Sequence, residues 1–170
     1  MKKYKIAILD RDGVINKINK NDGYIGKIKD FAWIPGAKKT IKFLKKNNYK
    51  VIVVTNQSGI ARGYFKYSDV LKLHKYINFE LKKNGASIDQ FYFCPHHIEG
   101  RIKRYKLKCN CRKPRNGQFK KIKAKWNINM KKSFMVGDQN TDIQFAKKSK
   151  LKGLLFNEKN LYNFISKRLT

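Results

Sequence analysis

The chain has 170 residues, 41% of them hydrophobic and 13% aromatic, which suffices for one ordinary core and is too apolar for a disordered chain. No run approaches the length of a membrane span. A formal charge of +30 invites a nucleic-acid reading, but it comes from 34 lysines against 7 arginines spread along the whole length, without the arginine bias that reads guanine and phosphate. A diffuse excess of Lys, Asn and Ile fits biased codon usage in an A+T-rich genome, and it would still attract small anions.

Met1-Lys2-Lys3 leads straight into Tyr4–Leu9, a strand pattern instead of a signal-peptide core, so a cytoplasmic location is expected. The strand ends in Asp10-Arg11-Asp12-Gly13-Val14. Two acids two residues apart repel one another unless a cation sits between them. An irregular polar stretch runs from Asn16 to Trp33, with Asp22-Gly23-Tyr24 as a turn. Pro35-Gly36 opens a helix from Ala37 to Asn47, and the β-branched run Val51–Val54 predicts an interior parallel strand. Ser68 is the expected cap of a helix reaching about Asn84, with Val70, Leu71, Leu73, Ile77 and Leu81 on its apolar face. His74 reads as an ordinary residue of that helix. Ile88–Phe93 predicts a third strand, followed by a long basic loop that holds all three cysteines. A helix over Phe119–Trp126, a strand over Ser133–Val136, a helix over Ile143–Lys148, a strand over Gly153–Phe156 and a helix over Leu161–Leu169 complete the pattern. Strands alternating with helices mean an α/β fold. The expectation is one domain over 1–170 built on a single Rossmann-like, doubly wound parallel sheet, without internal repeat, linker or large cap domain.

Each strand end leads into a polar cluster, the place where open α/β sheets bind ligands. Asp10 and Asp12 follow the first strand, and Thr55-Asn56-Gln57-Ser58-Gly59 the second. Gly137-Asp138-Gln139-Asn140-Thr141-Asp142 follow the fourth, while Arg112-Lys113-Pro114 closes the cysteine loop. Together they offer a carboxylate nucleophile, a second acid, a Mg²⁺ anchor, a hydroxyl donor and a lysine for phosphate charge, which are the parts phosphoryl transfer needs. Three cysteines in a cytoplasmic-looking chain argue against a disulfide framework. Cys94, His96, Cys109 and Cys111 instead make a Cys-x-His and Cys-x-Cys set suited to tetrahedral Zn²⁺, structural because all four positions are protein ligands.

On these residues the chain resembles the haloacid dehalogenase superfamily of aspartyl-phosphate phosphatases, through Asp10-x-Asp12-Gly-Val, Thr55-Asn56, Lys113 and Gly137-Asp138-x-x-x-Asp142. More narrowly it is similar to the D-glycero-D-manno-heptose-1,7-bisphosphate 7-phosphatases, which serve ADP-heptose and lipopolysaccharide core synthesis. Asp10-Arg-Asp-Gly-Val-Ile-Asn16, Thr55-Asn-Gln-Ser-Gly-Ile-Ala-Arg-Gly63 and Cys94-Pro-His-His97 with Cys109-Asn-Cys-Arg-Lys-Pro114 carry that likeness over nearly the whole chain. The resemblance implies that Asp10 attacks phosphorus while Asp12 protonates the leaving oxygen and later deprotonates water. Mg²⁺ would be held by the Asp10 carboxylate, the Asp12 main-chain carbonyl and the Asp138 carboxylate. Thr55 and Lys113 would hold phosphoryl oxygens, and Asp142 would orient Lys113 or a metal-bound water. A small phosphorylated sugar would be met by Asn21, Asp22, Gly23, Tyr24, Asn56, Gln57, Ser58, Arg112 and Gln139. The family pattern uses His96 in preference to His97, and it commonly has Lys where this chain has Gln139. The insert around Lys17–Lys20 blurs the alignment before Gly23. A monomer is expected, without nucleic acid or membrane as partner.

Two other families share part of this pattern. Histidinol-phosphate phosphatases share the zinc arrangement but usually have Asp in place of Ser58 and fewer than the 12 residues that separate His96 from Cys109 here. A basic zinc-containing nucleic-acid-binding module would leave the strand-end acids unexplained, because without metal they would repel a phosphate backbone.

Overall fold

The computed structural model describes residues 2–169. Five strands, β1 (Lys5–Leu9), β2 (Tyr49–Asn56), β3 (Gln90–Cys94), β4 (Phe134–Gly137) and β5 (Lys152–Leu155), form one parallel sheet in the order β3-β2-β1-β4-β5. The helices are α1 (Ala37–Lys46), α2 (Gly59–Arg62), α3 (Tyr67–Lys82), α4 (Gly117–Lys125), α5 (Asn140–Lys148) and α6 (Leu161–Leu169).

Side chains alternate across a strand, and here the two faces of the sheet feed two separate apolar layers. Ala7, Leu9, Val51, Val53 and Val136 pack with Ile41 and Leu44 of α1, Leu73, Ile77 and Leu81 of α3, and Phe164 and Ile165 of α6. Ile6, Ile8, Ile52, Val54 and Met135 pack on the other face with Phe119 and Ile122 of α4 and Phe145 of α5. The sheet is therefore doubly wound, and β1 at its centre is apolar on both faces, as a covered parallel strand must be. Strand order reverses around β1, so the loops after β1, β2 and β4 converge at a switch point. Among the described residues no large cap domain stands over that point.

Several boundaries differ from the sequence pattern for identifiable reasons. The cap of α3 is Lys66 and not Ser68: the Lys66 backbone N–H donates to Asp69 Oδ2 at 2.8 Å, so the helix starts two residues earlier. Leu71 is exposed, because Val70, Leu73, Ile77 and Leu81 already fill the buried stripe. Ile88 is buried but precedes the strand, its backbone N–H and carbonyl being bonded to the Asn78 side chain of α3 at 2.8 and 3.0 Å. The segment after Ser58 folds into the short helix α2, which the sequence pattern left irregular.

Candidate active site

One cleft of about 230 Å³ at the carboxyl ends of β1, β2 and β4 is lined by Asp10, Asp12, Gly23, Tyr24, Thr55, Asn56, Ser58, Arg112, Lys113, Asp138, Gln139 and Asp142, with Ile18 and Thr141. Residues spread over more than 130 positions thus meet because each follows a strand of the same sheet.

Lys113 is buried and stands between acids, its Nζ lying 2.9 Å from Asp10 Oδ1 and 2.7 Å from Asp142 Oδ1. It also donates to the Val54 carbonyl at 2.8 Å, which ties the end of the cysteine loop to β2. Burial alone would drive the lysine to lose its proton, but the charges of Asp10 and Asp142 outweigh that and raise its pKa. Asp10 is pushed up to about 7, chiefly by burial and further by Asp142 and Asp12, with Lys113 pulling the other way. Asp138 is raised as well, again by burial first. Carboxylate oxygens of Asp10, Asp138 and Asp142 lie within 4.8 Å of one another. Asp138 Oδ2 accepts from Gln139 Nε2 at 3.1 Å, whereas Asp138 Oδ1 is buried with no hydrogen-bond partner. Three acids facing one lysine, with a buried oxygen unsatisfied, fit a hard cation with oxygen ligands.

Two glycines make this packing achievable. Gly13 sits at φ +85°, and a Cβ there would come within 2.2 Å of Asp138 Oδ2. A Cβ on Gly137 would fall 2.1 Å from the Asp142 side chain.

The carboxylate of Asp12 faces a different set of donors. Arg11 Nη2 approaches its Oδ1 at 2.9 Å, Asn16 Nδ2 donates to Oδ1 at 2.9 Å and Gln57 Nε2 to Oδ2 at 2.8 Å. The Asp12 carboxylate is absent from the converging set of Asp10, Asp138 and Asp142, so only its main-chain carbonyl would be left for a cation. Gln57, expected at the substrate, does not line the cleft; it is buried behind it, bridging Asp12 and Thr55. Asn21 and Asp22 also fall outside the cleft lining. They are exposed in a turn where Asp22 Oδ1 accepts the Tyr24 N–H at 3.0 Å, leaving Gly23 and Tyr24 to reach the cleft. Asn56 does line it, but its side chain is spent on Lys113, accepting the backbone N–H at 2.9 Å and donating to the carbonyl at 3.1 Å. Arg112 opens both to the cleft and to a neighbouring basic pocket of about 350 Å³ with Lys108, Arg115 and Lys148, and its Nη1 is buried without a partner.

Behind the cleft, Cys94, His96, Cys109 and Cys111 converge: sulfur–sulfur separations are 2.9, 3.4 and 3.4 Å, and His96 Nδ1 lies 3.3 Å from Cys111 Sγ and 3.7 Å from Cys94 Sγ. Sulfur ligands arranged tetrahedrally around zinc lie about 3.8 Å apart, so the set needs only slight expansion. The hydrogen bond between the Cys94 and Cys111 sulfurs raises the first group and draws the second down to about 5. A pair sharing one proton at such range fits a site made for thiolates on a metal. His97 is outside the cluster, its Nδ1 accepting the Glu99 N–H at 3.1 Å.

The sequence profile of the polynucleotide kinase 3 phosphatase family matches residues 5–156. The D-glycero-β-D-manno-heptose-1,7-bisphosphate 7-phosphatase of Rhodopseudomonas palustris is 40% identical over 163 residues, covering 96% of this chain and 89% of that protein. The protein of the same name from Photorhabdus laumondii is 41% identical over 145 residues, 85% of this chain and 76% of its own length. Among solved structures, the D,D-heptose 1,7-bisphosphate phosphatase of B. bronchiseptica, in complex with magnesium and phosphate, matches with a TM-score of 0.80 at 28% identity, over 96% of this chain and 86% of that one. Profile, sequence and fold agree over nearly the whole length, and the chain belongs to the haloacid dehalogenase-like phosphatases, among the D-glycero-D-manno-heptose-1,7-bisphosphate 7-phosphatases.

Proposed function

We propose that the protein is a Mg²⁺-dependent phosphoric monoester hydrolase that removes the C7 phosphate of D-glycero-D-manno-heptose 1,7-bisphosphate, on the route to ADP-heptose and the lipopolysaccharide core. The observation that carries the reading is the cluster of Asp10, Asp138 and Asp142 around Lys113, with Asp138 Oδ1 buried and unpartnered, at the bottom of a cleft sized for a phosphoryl group.

Asp10 is the nucleophile. Its oxygen bonds to phosphorus as the bond to the sugar oxygen breaks, and the electron pair passes to that oxygen, which takes a proton from Asp12. Asp12 then removes a proton from water, whose oxygen attacks phosphorus and frees Asp10 and inorganic phosphate. Lys113 and Thr55 hold phosphoryl oxygens as charge moves between them. The carboxylates of Asp10 and Asp138 and the main-chain carbonyl of Asp12 would hold Mg²⁺, which would supply charge that offsets repulsion between nucleophile and phosphate. Asp142 keeps Lys113 protonated and in place. Zn²⁺ on Cys94, His96, Cys109 and Cys111 makes the loop rigid immediately before Arg112 and Lys113.

The sugar is met by Gly23, Tyr24, Ser58, Arg112 and Gln139, and the unpaired Arg112 Nη1 suits the far phosphate. A cleft without a large cap domain suits a phosphate on an extended primary carbon better than one packed against a ring. We place the reaction in the cytoplasm, where thiols stay reduced, with the chain acting as a monomer and without nucleic acid. Among the described residues, no helix is long and apolar enough to cross a membrane.

Phosphate release from heptose bisphosphate, histidinol phosphate and nucleotides, with and without Mg²⁺, tests the proposal. The expected result is Mg²⁺-dependent turnover with heptose bisphosphate preferred, and loss of turnover by several orders of magnitude in Asp10→Asn. A preference for histidinol phosphate or for nucleotides would overturn the substrate assignment, and an active Asp10→Asn the covalent route.

A further inference from the structure

Three buried side chains stand behind the cleft. Arg11 has no exposed surface. Its Nε and Nη2 reach the Asp12 carboxylate at 3.1, 2.9 and 3.2 Å, and Nη2 also donates to Gln57 Oε1 at 3.1 Å and to the Ile25 carbonyl. Its Nη1 lies 3.2 Å from His74 Nε2. A guanidinium has donors only, so Nε2 must accept, and the neutral ring carries its proton on Nδ1. Burial and then the Arg11 charge hold the His74 pKa well below the usual range, which keeps that lone pair available. The ring is clamped by Phe91, stacked at 4.3 Å, and by the edge contact with Phe93 at 5.4 Å. Gln57 completes the set, its Nε2 donating to Asp12 Oδ2 at 2.8 Å and to Thr55 Oγ1 at 3.0 Å. With its oxygen accepting from Gln57, the Thr55 hydroxyl is left to donate its own proton into the cleft.

We propose that His74, Arg11 and Gln57 are positioning residues: His74 fixes the Arg11 fork, and Arg11 with Gln57 aims the Asp12 carboxyl at the leaving-group oxygen and the Thr55 hydroxyl at the phosphoryl group. This rests on the assignment of Asp12 as the acid and base of the reaction. The guanidinium can hold a carboxylate in one plane only if its other end is also held. Among the described residues Nη1 has no hydrogen-bond partner besides His74, so a change on α3 reaches the chemistry without touching substrate.

Leaving-group dependence separates this role from a merely structural one. An alkyl phosphate leaves as an alkoxide and needs the proton of Asp12 as its bond to phosphorus breaks; p-nitrophenyl phosphate leaves as a stable phenolate and does not. In single-turnover measurements, His74→Leu should slow cleavage of the sugar phosphate about 10- to 100-fold, part of what a well-placed general acid contributes, and leave the p-nitrophenolate burst within about threefold of wild type. His74→Gln, whose amide oxygen can accept from Arg11, should recover most of the loss. Should His74→Leu fail to fold, Gln57→Met must slow the sugar phosphate more than p-nitrophenyl phosphate, the loss at Thr55 slowing both and the loss at Asp12 only the first. Equal slowing on both substrates, or slowing on neither, overturns the relay. Asp12→Asn serves as the reference: if it lacks the signature, the assignment of the acid fails and takes the relay with it. If it shows the signature and the His74 and Gln57 variants do not, the relay alone is wrong.

Discussion

The burial of Asp10 has a consequence for stability that can be read without any substrate. A carboxylic acid whose folded pKa is raised holds its proton more tightly in the folded state. Its contribution to stability is therefore present below the unfolded value and is lost as pH rises towards the folded one. For Asp10 that window runs from an ordinary 3.8 to about 7, and each pH unit inside it costs about 1.4 kcal/mol. Between pH 5 and pH 7 the Mg²⁺-free protein should lose about 2 to 3 kcal/mol through this residue, and little more above pH 7. Other groups titrate over the same range, His74 with the opposite sign because its pKa is lowered. The measurement is thus the difference between wild type and Asp10→Asn, which cancels them. Urea unfolding followed by the fluorescence of Trp33 and Trp126, in buffer free of Mg²⁺ and of chelator so that zinc is retained, should show Asp10→Asn gaining on wild type from pH 5 to 7. Saturating Mg²⁺ should flatten the difference, because a bound cation keeps the carboxylate ionised. A difference that does not change with pH in the absence of Mg²⁺ would mean that Asp10 is ionised throughout, and the electrostatic account of the cleft would fail.

Gly13→Ala combines a left-handed backbone with a Cβ 2.2 Å from Asp138 Oδ2; a loss of about 1 to 3 kcal/mol is expected, together with weakened Mg²⁺ dependence, measured by thermal unfolding and Mg²⁺ titration of activity. Purified protein should contain about one Zn²⁺ per chain by elemental analysis, and its removal should lower Tm and expose the segment through Lys113 to protease. A metal-free preparation with unchanged melting and activity would contradict that role. Arg112→Ala should raise KM more than it lowers kcat, because Nη1 is free for a group remote from the reacting phosphorus; a pure kcat effect would place Arg112 at the transferred phosphoryl group instead.

The sheet was legible because parallel strands covered on both faces need near-continuous apolar runs, and Ile6–Leu9 and Val51–Val54 are such runs. The convergence of Asp10, Thr55, Lys113, Asp138 and Asp142 was legible because open α/β sheets gather polar clusters at strand ends, so each could be found by looking past an apolar run. Roles that depend on packing were not. Gln57 belongs to the same polar cluster as Thr55 and Ser58, yet its side chain is buried and its amide bridges Asp12 and Thr55, a packing that no local pattern announces. His74 looks like any mid-helix residue until α3 is laid beside β3 and its ring meets Arg11, 63 positions away. Only the spacing Val70, Leu73, Ile77, Leu81 hinted that position 74 lies on the buried face. Asn21 and Asp22 were placed by a motif, but backbone bonding within their turn decides which of the four residues reaches the cleft.

Phosphorus NMR of the product made from heptose 1,7-bisphosphate tests the central claim most directly. The account predicts that the C7 phosphate signal is replaced by inorganic phosphate while the anomeric C1 phosphate signal persists. Loss of the anomeric signal, or equal loss of both, would contradict it.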